Sequence, residues 1–253
     1  MKLEIKNLDF SYNGKQVLKN INFELKQGEI LSLIGPNGSG KTTLLKCVNK
    51  ILKPKSGKIK LNDKNIDEFS LSEIAKKIGY VPQTENNNFS TRVFDTILMG
   101  RKPYIKWKPA AEDLNIVENV IQKLNLEELA LRDINELSGG QKQKVLIGRV
   151  LAQEPQIILL DEPTSDLDLK HQLEILNLIK DLSRQHISII IAIHDLSLAQ
   201  RYSDKFILLN EGKVHAAGGE EVLSQNNLEP VYGVEISIKD HSNRKLIIPE
   251  TPL

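Results

Sequence analysis

The sequence predicts an α/β fold with a parallel-sheet core, an N-terminal antiparallel β-subdomain and a helical subdomain. Three patterns carry that expectation: apolar and polar residues alternate at the start, a middle stretch repeats its apolar residues at intervals of three and four, and the second half alternates short apolar runs with amphipathic segments. Alternation through Leu3, Ile5 and Leu8, then Val17, Ile21, Phe23 and Leu25, reads as strands, with Asn13-Gly14 and Gln27-Gly28 as turns. Residues 30–34 form a nearly continuous apolar strand, followed by a glycine-rich turn and a helix over 42–49. After Pro54 come a strand at 58–61, a helix around 72–77 and a strand ending at Pro82. From about 93 to 135, Ile97, Leu98, Leu114, Val117, Val120, Ile121 and Leu124 keep helical spacing without a strand signal, which marks a helical insertion. From Leu137 the alternation resumes: helix to Leu151, strand 157–160, helix 173–182, strand 188–193, helix 196–202 and strand 206–209. Strands alternating with helices imply a parallel sheet covered on both faces. Beyond Asn226 only two weak strand-like pieces are expected, at 234–238 and 245–248.

Length and composition exclude several classes of protein. A chain of 253 residues can hold one large domain or two small ones. Thirty-four Lys and Arg against 33 Asp and Glu leave a charge of +1, so no global excess draws it to nucleic acid or anionic lipid, and any basic patch must be local. A content of 40% hydrophobic and 26% charged residues argues against disorder and low complexity. The single cysteine, Cys47, can form neither an internal disulfide nor a cysteine metal cage, which fits a reducing compartment, and beside Leu44, Leu45 and Val48 it is expected to be a small core residue. The start lacks the apolar core of a signal peptide, so export is not expected. The most apolar runs, 157–160 and 187–193, fall far short of the roughly 18 residues that span a bilayer. His171, His186, His215 and His241 show no metal-ligand spacing, and the triplet 88–90, a formal glycosylation acceptor, has no meaning in a chain that stays inside the cell.

Residues 35–42, Gly35, Pro36, Asn37, Gly38, Ser39, Gly40, Lys41 and Thr42, match the phosphate-binding loop pattern G-x-x-x-x-G-K-[ST] between a predicted strand and a predicted helix. Glycines let the backbone curl so that successive N–H groups point inward, and the helix that follows adds the positive end of its dipole. A triphosphate is the natural guest. Lys41 is expected to reach its outer phosphates, Thr42 to ligate Mg2+ and Thr43 to add a phosphate contact. The alternative is a glycine-rich turn that binds nothing. A second candidate lies at the end of the run 157–160, where Asp161 and Glu162 stand at the C-terminal edge of a buried strand. Open α/β sheets bind ligands at that edge. Asp161 is the expected magnesium ligand and Glu162 the expected general base or water positioner, against the alternative of two solvated acids closing a strand.

Between these two segments Ser138 reads as a helix N-cap, and Gly139 and Gly140 offer N–H groups to an anion at the helix start. With Leu137 and Gln141 this stretch resembles the signature of the ATP-binding cassette (ABC) ATPases, and the resemblance spans essentially all of residues 1–253 as one such domain of P-loop NTPase type, with the helical subdomain near 93–135 and a tail near 226–253. It implies that Ser138, Gly139, Gly140 and Gln141 contact the γ-phosphate held by a second copy, so that two chains sandwich two ATP. It also implies that Tyr12 stacks on adenine and that Gln83 touches magnesium and the attacking water. Asp168, closing the loop 165–168, is implied to cross the dimer interface, and His194 to contact the γ-phosphate and steady Glu162. Asp166 departs from the small or neutral residue expected beside it, and Lys142 and Lys144 replace common arginines, keeping charge but losing the planar fork.

The stretch 95–101 followed by Pro103 and Tyr104, together with the tail at 231–234 and 247–249, is similar to ATPase subunits of importers for ferric siderophores, haem and cobalamin. That likeness implies two separate integral-membrane permease subunits, an indirect periplasmic or extracellular substrate-binding protein, no nucleic acid partner, and a peripheral place on the cytoplasmic face of the cell membrane. The helical insertion is expected to expose, beside Gln83, a site where a helix of the membrane partner docks. The competing reading is a soluble ABC ATPase acting on nucleic acid or ribosomes. Such proteins generally carry two cassettes or a coiled coil, whereas this chain has one cassette and no heptads. A P-loop GTPase or kinase has no use for residues 137–141.

Overall fold

The first two strands, β1 (Leu3–Tyr12) and β2 (Lys15–Leu25), form a hairpin whose turn residues Asn13 and Gly14 both have positive φ, the conformation that matches strand twist in a two-residue loop. The computed structural model describes residues 2–83, 90–241 and 244–253; Asn88 and Phe89 of the glycosylation triplet lie outside them. The hairpin leads into β3 (Ile30–Ile34), α1 (Lys41–Val48), β4 (Ser56–Leu61) and the two-residue β5 (Lys64–Asn65). β4 returns beside β1, giving an antiparallel sheet in the order β2-β1-β4-β5. A capped turn, α2 (Leu71–Ala75), precedes β6 (Ile78–Val81). The helical subdomain holds α3 (Val93–Leu98) and α4 (Ala111–Lys123), joined by one 3-10 turn (Met99–Arg101) and a loop, and packs on α5 (Gly139–Leu151).

The second half alternates as expected: β7 (Ile157–Asp161), α6 (Leu169–Arg184), β8 (Ser188–Ala192), α7 (Leu196–Tyr202) and β9 (Lys205–Asn210). Helix α6 begins four residues before its expected start because the Asp168 carboxylate caps it by accepting from the His171 backbone N–H at 2.9 Å. The central sheet has the order β10-β9-β3-β8-β7-β6, where β10 (Lys213–Gly218) is an antiparallel edge strand. The sheet is therefore mixed rather than wholly parallel. The strand missing from the sequence reading is formed because Glu211 and Gly212, both at positive φ, reverse the chain in two residues. The tail holds α8 (Gln225–Tyr232) and the hairpin β11 (Val234–His241) with β12 (Arg244–Pro252). Pro230 disguises α8 as a break, yet burial of Leu228 and Val231 holds the helix and Gly233 ends it in the left-handed region.

Successive residues of the central strands feed two separate cores, as period-two geometry requires. Leu31, Leu33, Ile157, Leu159, Ile190 and Ala192 pack towards α1 and the antiparallel sheet. Ile30, Ile34, Ile158, Leu160, Ile189 and Ile191 pack in the core shared with α5, α6 and the helical subdomain. Among the described residues no helix is long and apolar enough to cross a membrane.

One buried ion pair organises the helical subdomain. Arg101, whose side chain is only 4% exposed, bonds Asp113 at 2.9 Å, the Ala152 carbonyl at 2.8 Å and Glu154 at 2.7 Å. The Ala110 backbone N–H first, and then Arg101, hold the Asp113 carboxyl below the ordinary carboxylate range. Arg101→Ala strands Asp113 in the interior and is expected to cost about 3 kcal/mol or more, whereas Glu154→Ala, at a side chain 56% exposed, is expected to cost under about 1 kcal/mol. The Asp113 contribution is complete at neutral pH and is lost as pH falls through its lowered folded value. Urea unfolding of both variants at neutral and acid pH measures this.

Candidate functional site

Four neighbouring parallel strands, β3, β8, β7 and β6, point their C-terminal ends to the same edge, and each is followed by a candidate site segment. These are residues 35–42 after β3, His194 shortly after β8, Asp161 and Glu162 at the end of β7, and Gln83 after β6. Segments about 160 residues apart in sequence become neighbours through strand order alone.

The loop 35–42 is held by close approaches that only glycine permits: a Cβ on Gly35 would collide with the Leu209 carbonyl of β9, and Gly40, at φ +108°, sits against Leu18. Lys41 is buried, and its Nζ donates to the carbonyls of Gly35 at 2.8 Å and Pro36 at 3.1 Å. Burial pulls the Lys41 ammonium below its usual pKa, and the charges of Glu162 and Asp161 oppose that shift. Asn37, Gly38, Gly40, Lys41, Thr42 and Thr43 line, with Val17 and Glu162, a depression of about 220 Å³. A larger cavity of about 640 Å³, lined by Lys50, Lys53 and Lys55, lies on the far end of α1 and belongs to no part of this arrangement.

Asp161 is buried, with Oδ1 accepting from the Thr42 hydroxyl at 2.9 Å and Oδ2 from the Tyr80 hydroxyl at 3.0 Å. Burial raises its pKa, and the bonds from Thr42 and Tyr80 pull it back. Glu162 has φ +51°, a left-handed conformation that costs a non-glycine residue on the order of 1 kcal/mol. Its backbone N–H donates to the Ala192 carbonyl of β8 at 3.1 Å. The turn brings the carboxylate between two partners: Gln83 Nε2 donates to Oε2 at 2.7 Å, and His194 Nε2 is hydrogen-bonded with Oε1.

Ser138, Gly139, Gly140, Gln141, Asp168 and Tyr12 make none of these contacts and do not line the depression. Ser138 caps α5, accepting from the Gln141 N–H at 3.4 Å while Gln141 Oε1 accepts from the Ser138 N–H at 3.1 Å. Ser138 and Gly139 are exposed, but Gly140 is buried, and a Cβ there would strike the His171 ring. That glycine has a packing reason within its own chain beyond the anion approach expected of it. His171, given no role from spacing, joins the two loops: Nδ1 lies 2.7 Å from Asp168 Oδ1. Tyr12, 44% exposed at the end of β1, leans edge-on against Phe10 with ring centroids 4.7 Å apart. Sequence reasoning also passed over Tyr80. A tyrosine hydroxyl in an apolar strand beside β7 needs a buried partner, and that need was the available signal.

The residues fit a triphosphate with a hard cation. The Ser39 hydroxyl is buried without a hydrogen-bond partner among the described residues, a donor available to a phosphate oxygen. Thr42 and Asp161 supply the hydroxyl and carboxylate oxygens that magnesium takes. Among the described residues no group of three or more His, Cys, Asp or Glu could hold a metal, so a cation here relies on phosphate or water oxygens for its other ligands.

Comparison with known proteins agrees with this geometry. The family model described as ABC transporter matches residues 18–165. An uncharacterized ABC transporter ATP-binding protein of Methanocaldococcus jannaschii is 51% identical over 98% of both chains. A Helicobacter pylori protein named a probable iron chelatin transport ATP-binding protein is 38% identical, over 98% of this chain and 99% of that one. Among solved structures, one described as an inward-facing conformation of an ABC transporter of metal-chelate type superposes with a TM-score of 0.86 at 33% identity, covering 98% of this chain and 97% of the other. The chain belongs to the ABC transporter family, as one of its ATP-hydrolysing ATP-binding subunits.

Proposed function

We propose that this chain powers uptake of a metal chelate, a ferric siderophore, haem or cobalamin, by closing with a second copy around two ATP and Mg2+ beneath two membrane permease subunits. The observation that carries the hydrolytic reading is the Glu162 carboxylate, held by Gln83 and His194 on the rim of the loop that contains Lys41. Glu162 accepts the proton of the attacking water. Gln83 and His194 fix the direction of its two oxygens, and either can yield its place to that water. Lys41, already surrounded by oxygen acceptors, exchanges its loop carbonyls for phosphate oxygens. Thr42 and Asp161 would hold magnesium, which when bound neutralises charge developing on the phosphates.

Ser138 and Gly139 are exposed and free to meet a second copy, whose nucleotide they serve in this reading. Asp168, whose side chain is exposed, and Tyr12 complete that arrangement as interface acid and adenine platform. ABC cassettes act as dimers with membrane permease components, which supports the pairing. The chelate reading rests on the iron-chelatin and metal-chelate descriptions of the Helicobacter protein and the solved transporter. With it go a substrate-binding protein reached only through the permease and a peripheral position on the cytoplasmic face of the membrane. No observation favours the competing reading of a non-transport ATPase.

Glu162→Gln is expected to keep ATP binding, lower turnover by about two to three orders of magnitude and accumulate an ATP-bound dimer in size-exclusion chromatography. Unchanged turnover would remove Glu162 from the chemistry. Tyr80→Phe deprives Asp161 of a donor that lowers its pKa, so the carboxylate protonates at higher pH. The expected result is a fall in turnover of about tenfold, with the acid limb of the pH–rate profile displaced towards neutrality.

A further inference from the structure

The segment between the 3-10 turn after α3 and the start of α4 presents the chain's single tryptophan to solvent. Trp107 is 96% exposed and is flanked by the exposed Lys106 and Lys108, with exposed Lys102 earlier in the same segment. Residues 99–111 contain no Asp or Glu; the first acid after them is the exposed Glu112. On its own an exposed aromatic residue means little. Here the base of the segment is fixed. The buried Arg101–Asp113 pair ties its two ends together, the Tyr104 hydroxyl donates to the Gln153 carbonyl at 2.9 Å, and the Tyr104 ring lies 3.9 Å from the Arg101 guanidinium and 4.6 Å from Lys76 Nζ. The Ser72 hydroxyl donates to the Pro103 carbonyl at 3.3 Å. A rigid root therefore holds out a tip made of one large amphipathic ring between two cations.

We propose that this tip is a contact for an anionic lipid bilayer surface, with Trp107 seated at headgroup level and Lys102, Lys106 and Lys108 paired with lipid phosphates. Tryptophan favours the membrane–water interface because its ring is apolar and its N–H polar, and lysines beside it are attracted by an anionic leaflet. The charge of the tip, all of one sign in a chain of net charge +1, is complementary to such a surface. Each lysine near an anionic leaflet is worth roughly a fivefold change in partition, so the three together amount to on the order of a hundredfold. That is enough to orient a peripheral subunit but not to anchor it alone. The proposal does not depend on the transport reading, since lipid vesicles contain no permease.

Because Trp107 is the only tryptophan, emission excited selectively at tryptophan reports on this tip alone in the full chain. With vesicles of phosphatidylcholine and phosphatidylglycerol at low salt, the expected result is a blue shift of the emission and co-sedimentation of the protein. Pure phosphatidylcholine vesicles should give little of either, and added salt should reverse both. The combined Lys102→Gln, Lys106→Gln and Lys108→Gln variant should lose about ten- to a hundredfold in partition, and Trp107→Ala should sediment less, while ATP hydrolysis in solution stays unchanged in both. An emission maximum that does not move with anionic vesicles overturns the proposal. So does equal sedimentation of the triple variant, or a shift produced equally by soluble glycerol phosphate. A shift seen only with detergent-solubilised permease subunits also overturns it, in favour of a protein contact.

Discussion

Parallel pairing of four buried strands is the constraint on which the site depends. β3, β8, β7 and β6 contribute nothing polar along most of their length, yet their registers fix where the chain leaves the sheet. Leu160 pairs with Ile191 and Asp161 with Ala192, so Glu162 emerges where its N–H meets the Ala192 carbonyl and its carboxylate meets His194. Shifting β7 by one residue would exchange the two cores and turn Asp161 away from Thr42. The geometry of the candidate site is thus a by-product of hydrophobic packing on both faces of one sheet.

Within that frame the polar groups are arranged so that neighbouring acids differ. Asp161 is buried and takes two hydroxyl donors, which suits a carboxylate that stays in place. Glu162 sits in a left-handed turn with an amide and an imidazole as partners, both of which belong to separate strand ends. The same contrast appears across the molecule. Arg101 is locked by three partners in the helical subdomain, whereas Lys41 rests on two carbonyls that a stronger acceptor can replace.

Most of the fold and the ordered motifs were legible because they rest on local signals. Alternating residues gave the N-terminal hairpin and short continuous apolar runs gave the central strands, while the loop after β3 and the cap at Ser138 carry recognisable patterns. What escaped rests on tertiary context. β10 is a weakly patterned edge strand that exists because β9 precedes it, and α8 survives Pro230 through the burial of Leu228 and Val231. Tyr80 and His171 were missed because a hydroxyl or imidazole declares its purpose only once its acceptor, Asp161 or Asp168, is known. Gly140 looked like an anion contact and is also the space left for a ring.

The buried thiol has a practical corollary. Cys47 is 1% exposed on α1, and burial pushes its pKa up to about 12, so almost none of it is thiolate near neutrality. Low thiolate content and burial both slow its reaction with cysteine-directed labels relative to a surface thiol. A second cysteine placed on the surface is the faster attachment point, so a label can be directed to a chosen position while the native thiol stays in place.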